Sequence, residues 1–252
     1  EAGFTIGKNV YLDLNGKTVT LKDGTGATGT LTINKDCTLY GLDHTTDEYT
    51  DTAYGKIIGT VGGEGTVAVT YQTPTAADGT FQRYVKFADT EKNELSFHRY
   101  NISVSGYRFE FNANDESALY FQGTFSGSDI VKKLLRNVGF QVDDSTIWWK
   151  DQHQDLSAVT TPKYEIEIAL TGAFTPEELK HEYTVYALLD FGGTDPAMSD
   201  PKTLSFWTAL QQRYKELTAK DEASRTDKEK AELAVLEQLF NGTSNTEQNT
   251  VT

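Results

Sequence analysis

From Val10 to Leu21 apolar and polar residues alternate: Val10, Leu12 and Leu14 against Tyr11 and Asp13, then Val19 and Leu21 against Thr18 and Thr20. Alternation with period two marks a strand buried on one face. Leu31-Thr32-Ile33, Thr38-Leu39-Tyr40 and Ile57-Ile58 extend it. The pattern also recurs. Thr5-Ile6-Gly7-Lys8-Asn9-Val10-Tyr11-Leu12 returns 27 residues later as Thr32-Ile33-Asn34-Lys35-Asp36-Cys37-Thr38-Leu39. A fainter copy, Thr60-Val61-Gly62-Gly63-Glu64-Gly65-Thr66-Val67, follows after a further 28. A coil of this length cannot bury its apolar face alone, so such repeats stack. Residues 1–72 are therefore predicted to form a stack of about three β-coils. Asn15-Gly16 is a tight-turn signal between two strands, and the polar stretch 43–52 reads as an excursion loop. Cys37 falls on the repeat position of Val10 and is expected to pack as a small buried apolar residue.

Residues 73–79 form a polar Pro/Ala/Gly segment, read as a linker. From 80 to 199 the alternation continues in short runs rich in aromatic and β-branched residues: 81–87, 95–104, 107–111, 119–125, 138–142, 147–149, 164–170 and 183–191. Short strands separated by turns predict an antiparallel β-sandwich, with a short helix within 127–136. Leu119-Tyr120-Phe121-Gln122-Gly123 looks like part of a tag-cleavage site, but it keeps the alternation and is read as native strand. After residue 200 the period changes. Leu204, Trp207, Leu210, Tyr214 and Leu217 recur at helical spacing behind Asp200 as N-cap and Pro201 as first helical residue. Thr226-x-x-Glu229 is a capping box leading Leu233, Leu236, Leu239 and Phe240, with Gly242 as a stop. Residues 200–241 are thus predicted to be a helical hairpin anchored by Trp207. The polar tail 242–252 is expected to be disordered.

Composition narrows the setting. A chain of 252 residues can bury roughly 70–75% of its unfolded surface and needs no covalent staples. The single cysteine excludes an internal disulfide. The net charge is −14, of which only −2 lies on residues 200–252, so the acidity belongs to the β-rich part. Such a surface repels nucleic acid and anionic membrane. No apolar run approaches the roughly 18 residues of a membrane span, so no membrane insertion is expected. The sequence begins with Glu rather than Met, which suggests removal of an upstream segment, where a signal or anchor would lie.

Several words of the sequence, in order, resemble a group of large surface proteins of gut Firmicutes. They are Leu12-Asp13-Leu14-Asn15-Gly16-Lys17-Thr18, Cys37-Thr38-Leu39-Tyr40 with Thr46-Asp47-Glu48-Tyr49-Thr50, and Tyr54-Gly55-Lys56-Ile57. Ser96-Phe97-His98-Arg99-Tyr100-Asn101 and Tyr120-Phe121-Gln122-Gly123-Thr124-Phe125 follow them. The resemblance covers roughly residues 5–142 and not the helical hairpin. It implies an extracellular or cell-surface protein with a right-handed β-helix followed by an immunoglobulin-like sandwich. No catalytic residues come with it.

The candidate chemistry each has a plain alternative. Asp43, Asp47 and Asp51 recur every four residues, with His44 and Glu48 nearby. They could offer oxygen ligands to a hard cation, although the spacing is not that of an EF-hand; otherwise they are a solvated acidic loop. His44, His98, His153 and His181 lack zinc spacing, and His98 reads as a satisfied core histidine. Gly62-Gly63-Glu64-Gly65 lacks the Lys-Ser/Thr of a phosphate loop, and no Gly-x-Ser-x-Gly elbow occurs. Trp148-Trp149 in one strand would face opposite ways, so one ring could stack on a sugar, or both could pack internally. Polysaccharide-cleaving β-helix enzymes carry carboxylates along a long groove. Here Asp13, Asp36, Asp43 and Glu64 fall at different repeat positions on a short stack. The expected protein is a non-enzymatic, extracellular or cell-surface scaffold without cofactor, whose partner is another surface protein or a glycan. A carbohydrate-binding module is the alternative, and a fragment of a polysaccharide-degrading enzyme the third reading.

Overall fold

The structure is a computed structural model that describes residues 3–44, 54–69, 83–110, 118–151, 155–156, 163–168 and 176–247. The protein is mainly β and divides into two compact units. The first comprises residues 1–102, 125–136 and 189–196, and the second residues 103–124, 137–188 and 197–252. The division thus falls within a strand rather than at segment 73–79, which lies outside the described residues.

In the first unit, β1 (Phe4–Ile6), β4 (Thr30–Ile33) and β7 (Thr60–Gly63) form one parallel ladder. A second joins β2 (Val10–Asp13), β5 (Thr38–Leu42) and β8 (Thr66–Val69). A third begins with β3 (Thr18–Thr20) beside β6 (Lys56–Ile58). Strands that pair in parallel with long offsets require the chain to circle once per rung, and every ladder bonds rung to rung.

The register corrects the repeat read from the sequence. Thr5 pairs with Thr32, at the expected offset of 27, and Thr38 with Thr66, at the expected 28. Val10, however, pairs with Leu39, and Thr30 with Thr60. The second coil has two extra residues at its corner: Ile33 to Leu39 spans six positions, whereas the matching Ile6 to Val10 and Gly63 to Val67 each span four. Cys37 therefore belongs to that corner and not to Val10's column. It is half-buried against the core. A two-residue slip is tolerated because side chains alternate with period two, so the inward face stays apolar.

The core of the stack holds Leu14, Leu21, Leu31, Ile33, Leu39 and Ile57, joined by Leu95 and Phe97 from the next hairpin. That hairpin is β9 (Arg83–Asp89) with the first part of β10 (Glu94–Glu110). Leu95 pairs with Ile57, so the third ladder passes from parallel to antiparallel. Phe97 fills the space above Gly41, where a Cβ would lie 1.9 Å from the ring. Only glycine fits there. Asn15 and Gly16 both take positive φ, 44° and 66°. The turn they make is not a hairpin. It carries the chain from the ladder of β2 to that of β3. Helix α1 (Asp129–Leu134) lies where a short helix was expected, capped by Ser128, whose Oγ accepts from the Val131 amide at 3.3 Å.

In the second unit, the later part of β10 neighbours β11 (Ala118–Gly127), which pairs with β14 (Lys163–Ile168). The two runs expected at 95–104 and 107–111 are thus one 17-residue strand, since Gly106 continues it without a turn. Phe121, in the tag-like run, is fully buried. A second sheet has the order β13 (Ser145–Trp148), β12 (Asn137–Val142), β15 (Glu182–Asp190), β16 (Ala197–Met198), with β17 (Lys202–Ser205) also on β15. A short helix, α2 (Pro176–Lys180), precedes β15.

The first predicted helix starts later than expected. Residues 202–205 form β17, and α3 (Phe206–Ala219) follows. Pairing of Leu204 with Tyr183 across two strands overrides the local start signals at Asp200 and Pro201. The anchor is Phe206, buried among Tyr107, Phe121 and Tyr183 at ring separations of 4.9, 5.6 and 5.5 Å. Trp207 instead packs edge-on against Phe240 of α4 (Asp227–Glu247) at 4.9 Å. The helix passes Gly242 and runs to Glu247, so part of the expected tail is helical. The capping box forms as expected: the Glu229 amide donates to Thr226 Oγ1 at 3.2 Å and the Thr226 amide to Glu229 Oε2 at 3.0 Å.

Candidate functional site

Of the three loop aspartates, only Asp43 lies within the described residues; Asp47 and Asp51 do not. Asp43 is buried, and its carboxylate ties adjacent coils together. Oδ1 accepts from the Gly16 amide at 2.8 Å, and Oδ2 accepts from the Gly55 amide. A buried carboxylate needs such donors, and the sharp Asn15-Gly16 turn aims an amide at it. Beside it, Asp13 accepts from the Asn15 amide at 3.0 Å and pairs with His44. Among the described residues, no group of three His, Cys, Asp or Glu side chains converges as a metal site.

The tryptophan pair is not arranged as a strand would arrange it. β13 ends at Trp148, and Trp149 opens a 3-10 turn. Trp149 is buried, and its Nε1 donates to the Asp155 carbonyl at 2.6 Å. Trp148 is half-buried and lies across Gly139, where a Cβ would sit 2.6 Å from its Cε3. Trp149 is thus a core residue, and Trp148 offers only part of its surface.

Two histidines are satisfied within their own units. His98 is buried, with Nε2 2.9 Å from Ser96 Oγ and its ring against Tyr54 and Phe87, at 4.4 and 6.1 Å. Glu94, two positions before Ser96, takes Lys56 at 3.0 Å and the Tyr54 hydroxyl at 3.4 Å. A serine beside an imidazole is the pairing that a nucleophile and its general base require. Ser96 is fully buried, however, so the pair forms a polar seam in the core. Sequence reading missed this seam, although Glu94, Ser96 and His98 share one strand face by their spacing. His181 bonds Asp143 at 2.9 Å, and this bond, with the Thr184 amide, holds the Asp143 carboxyl below its ordinary range.

Two surface features remain on the first unit. A half-open cavity of about 200 Å³ is lined by Gly59, Thr60, Val67, Lys86, Asp89 and Asn93. Lys86 reaches the Val67 carbonyl at 3.2 Å, and Asp89 is held by Lys92 and by the amides of Glu91 and Lys92. Those donors, the Lys92 amide foremost, lower its pKa. The other feature is an aromatic pair on the outer face of the second ladder. Tyr11 stacks on Tyr40 at 4.8 Å with rings 12° from parallel, and Tyr11 is 71% exposed. The 29-residue offset of this pair, two longer than the repeat, hid it in the sequence. No family model, curated protein or solved structure matches the chain.

Proposed function

We propose that the chain is a non-enzymatic scaffold or adhesion-type piece of an extracellular or cell-surface protein, with a short right-handed β-helix in its first unit and an immunoglobulin-like sandwich in its second. The observation that carries this reading is where the polar groups of the stack go. Asp43 joins the Gly16 and Gly55 amides, Asp13 pairs with His44, and Glu94 takes Lys56 and Tyr54, so these carboxylates tie segments far apart in the chain, while Ser96 and His98 bond each other within one strand. Stiffness is what such an arrangement supplies. The acidic balance of the β-rich part and the resemblance in its sequence words support the location. An antibody raised against the chain should label intact cells that produce it. Labelling that appears only after permeabilisation would overturn the surface reading.

One observation favours carbohydrate binding as a second reading. The free face of the Tyr11 ring, backed by Tyr40, is a flat apolar surface of the kind on which a sugar ring stacks. A glycan array probed with the native chain and with Tyr11→Ala and Trp148→Ala variants tests it. Signal lost with Tyr11→Ala supports the platform; an array without signal from the native chain rejects it.

A further inference from the structure

Two Asn-Gly pairs occur in the chain, Asn15-Gly16 and Asn241-Gly242. An asparagine before glycine is open to attack on its own side chain, because glycine has no Cβ to shield its backbone nitrogen. At the first pair, the Gly16 nitrogen would bond to the side-chain carbonyl carbon of Asn15. The bond from that carbon to Nδ2 would break, and ammonia would leave with the amide proton. Water then opens the cyclic imide to aspartate, or to isoaspartate, whose main chain is one methylene longer. Asn15 is exposed. The reaction still needs the Gly16 nitrogen released from other bonds and the turn loose enough to bring the two atoms together. Three successive amides here are committed. The Asn15 amide donates to Asp13 Oδ1 at 3.0 Å, the Gly16 amide to Asp43 Oδ1 at 2.8 Å, and the Lys17 amide to the Leu14 carbonyl at 2.8 Å. Asn15 and Gly16 both take positive φ between these bonds, as a tight turn requires.

We propose that Asn15-Gly16 is a latent modification site that Asp43 holds closed. The bonds to Asp13 and Leu14 are local to the turn and move with it. Asp43 lies 27 positions away, is buried, and has its second oxygen fixed by the Gly55 amide. It therefore cannot follow the Gly16 amide when the turn opens. A carboxylate is far too weak a base to remove an amide proton, so the contact restrains the nitrogen and does not activate it. Either product of the reaction puts a new carboxylate into a corner that already holds Asp13 and Asp43, where like charges repel. The isoaspartate form also shifts the Gly16 amide along the chain, away from its partner. Asn241-Gly242 is held by other means. It lies inside α4, where each amide is bonded one turn back, and it owes nothing to Asp43.

Mass-spectrometric peptide mapping of the intact chain, after incubation at mildly alkaline pH, reads the aspartate and isoaspartate forms at both sites. Asn15 should convert at least about tenfold more slowly in the folded chain than in guanidinium, because a hydrogen bond to a charged group must open first. That comparison needs no variant. Asp43→Ala should raise the Asn15 rate of the folded chain roughly tenfold and leave Asn241 unchanged. Ile33→Val, which thins the core of the stack without touching the turn, should leave Asn15 near its native rate. Equal Asn15 rates in the folded and unfolded chain overturn the proposal. So does an Asp43→Ala chain in which Asn15 converts no faster than in the native one, or an Ile33→Val chain that speeds Asn15 as much as Asp43→Ala does.

Discussion

The stack of the first unit and the helical hairpin of the second are held together in opposite ways. In the stack, apolar side chains line up in columns, Ile6 beside Ile33 and Val10 beside Leu39, and a few buried polar groups join distant segments. Gly41 makes room for the Phe97 ring, and Asp43 joins the Gly16 and Gly55 amides. In the hairpin a narrow seam of Leu210, Leu217, Leu233 and Leu236 is buried, and ion pairs are laid across its rim. Arg213 grips Glu232 with two bonds of 2.9 Å, and Lys220 meets Glu229 at 2.5 Å. Arg225 closes the end of α3 by donating to the Leu217 carbonyl at 2.8 Å. Buried, repeated contacts make a structure sensitive to single atoms, whereas exposed ion pairs make one sensitive to salt and pH.

The protein carries reporters that separate the two regions. Its single cysteine, Cys37, lies in the first unit and its three tryptophans, 148, 149 and 207, in the second. The largest effect is expected from Phe97→Ala, which unplugs the stack and should cost about 3–5 kcal/mol, read as faster thiol trapping of Cys37 in denaturant. A loss below about 1 kcal/mol would mean that the ring is not the plug. Leu217→Ala, in the fully buried seam, should cost about 2–5 kcal/mol, read from the tryptophan transition. An effect confined to Cys37 would contradict the contrast. Asp43→Asn turns an acceptor into a donor facing an amide and should cost about 1–3 kcal/mol. Added salt should leave that loss unchanged.

The smallest effect belongs to the hairpin rim. The Lys220 ammonium, then the Thr226 amide, hold the Glu229 carboxyl at about 2, below its ordinary 4.5. A lowered pKa means that the contribution is complete above pH 4.5 and is lost as the pH falls through 2. Native and Glu229→Gln chains should therefore differ in tryptophan-monitored melting at about pH 5 and converge toward about pH 2. Salt should narrow the difference at the higher pH. A gap that persists at the lower pH would assign it to something other than the ion pair.

The repeat, the inward apolar columns, the short helix at 129–134 and the capping box were legible because each rests on neighbouring residues or a fixed period. The start of α3 was not, because pairing between β17 and β15 outcompeted a good local N-cap. Trp149 was misplaced for a related reason. Two adjacent tryptophans read as strand, but the chain turns after Trp148 so that the indole N–H can reach a carbonyl. The roles of Asp43, Glu94 and His98 depended on partners tens of positions away, at Gly16, Lys56 and Tyr54, and no local pattern carries such distances.

By itself, then, the sequence determined that the first seventy or so residues are rich in short strands, and which face of each strand is apolar. Period-two alternation fixes a face whatever the register, so a two-residue insertion at the second corner left that conclusion intact. Only the tertiary structure decided which rung meets which, and that the Phe97 ring fills the space Gly41 leaves. Those outcomes depend on what lies above and below a residue, and that is set by the path of the whole chain.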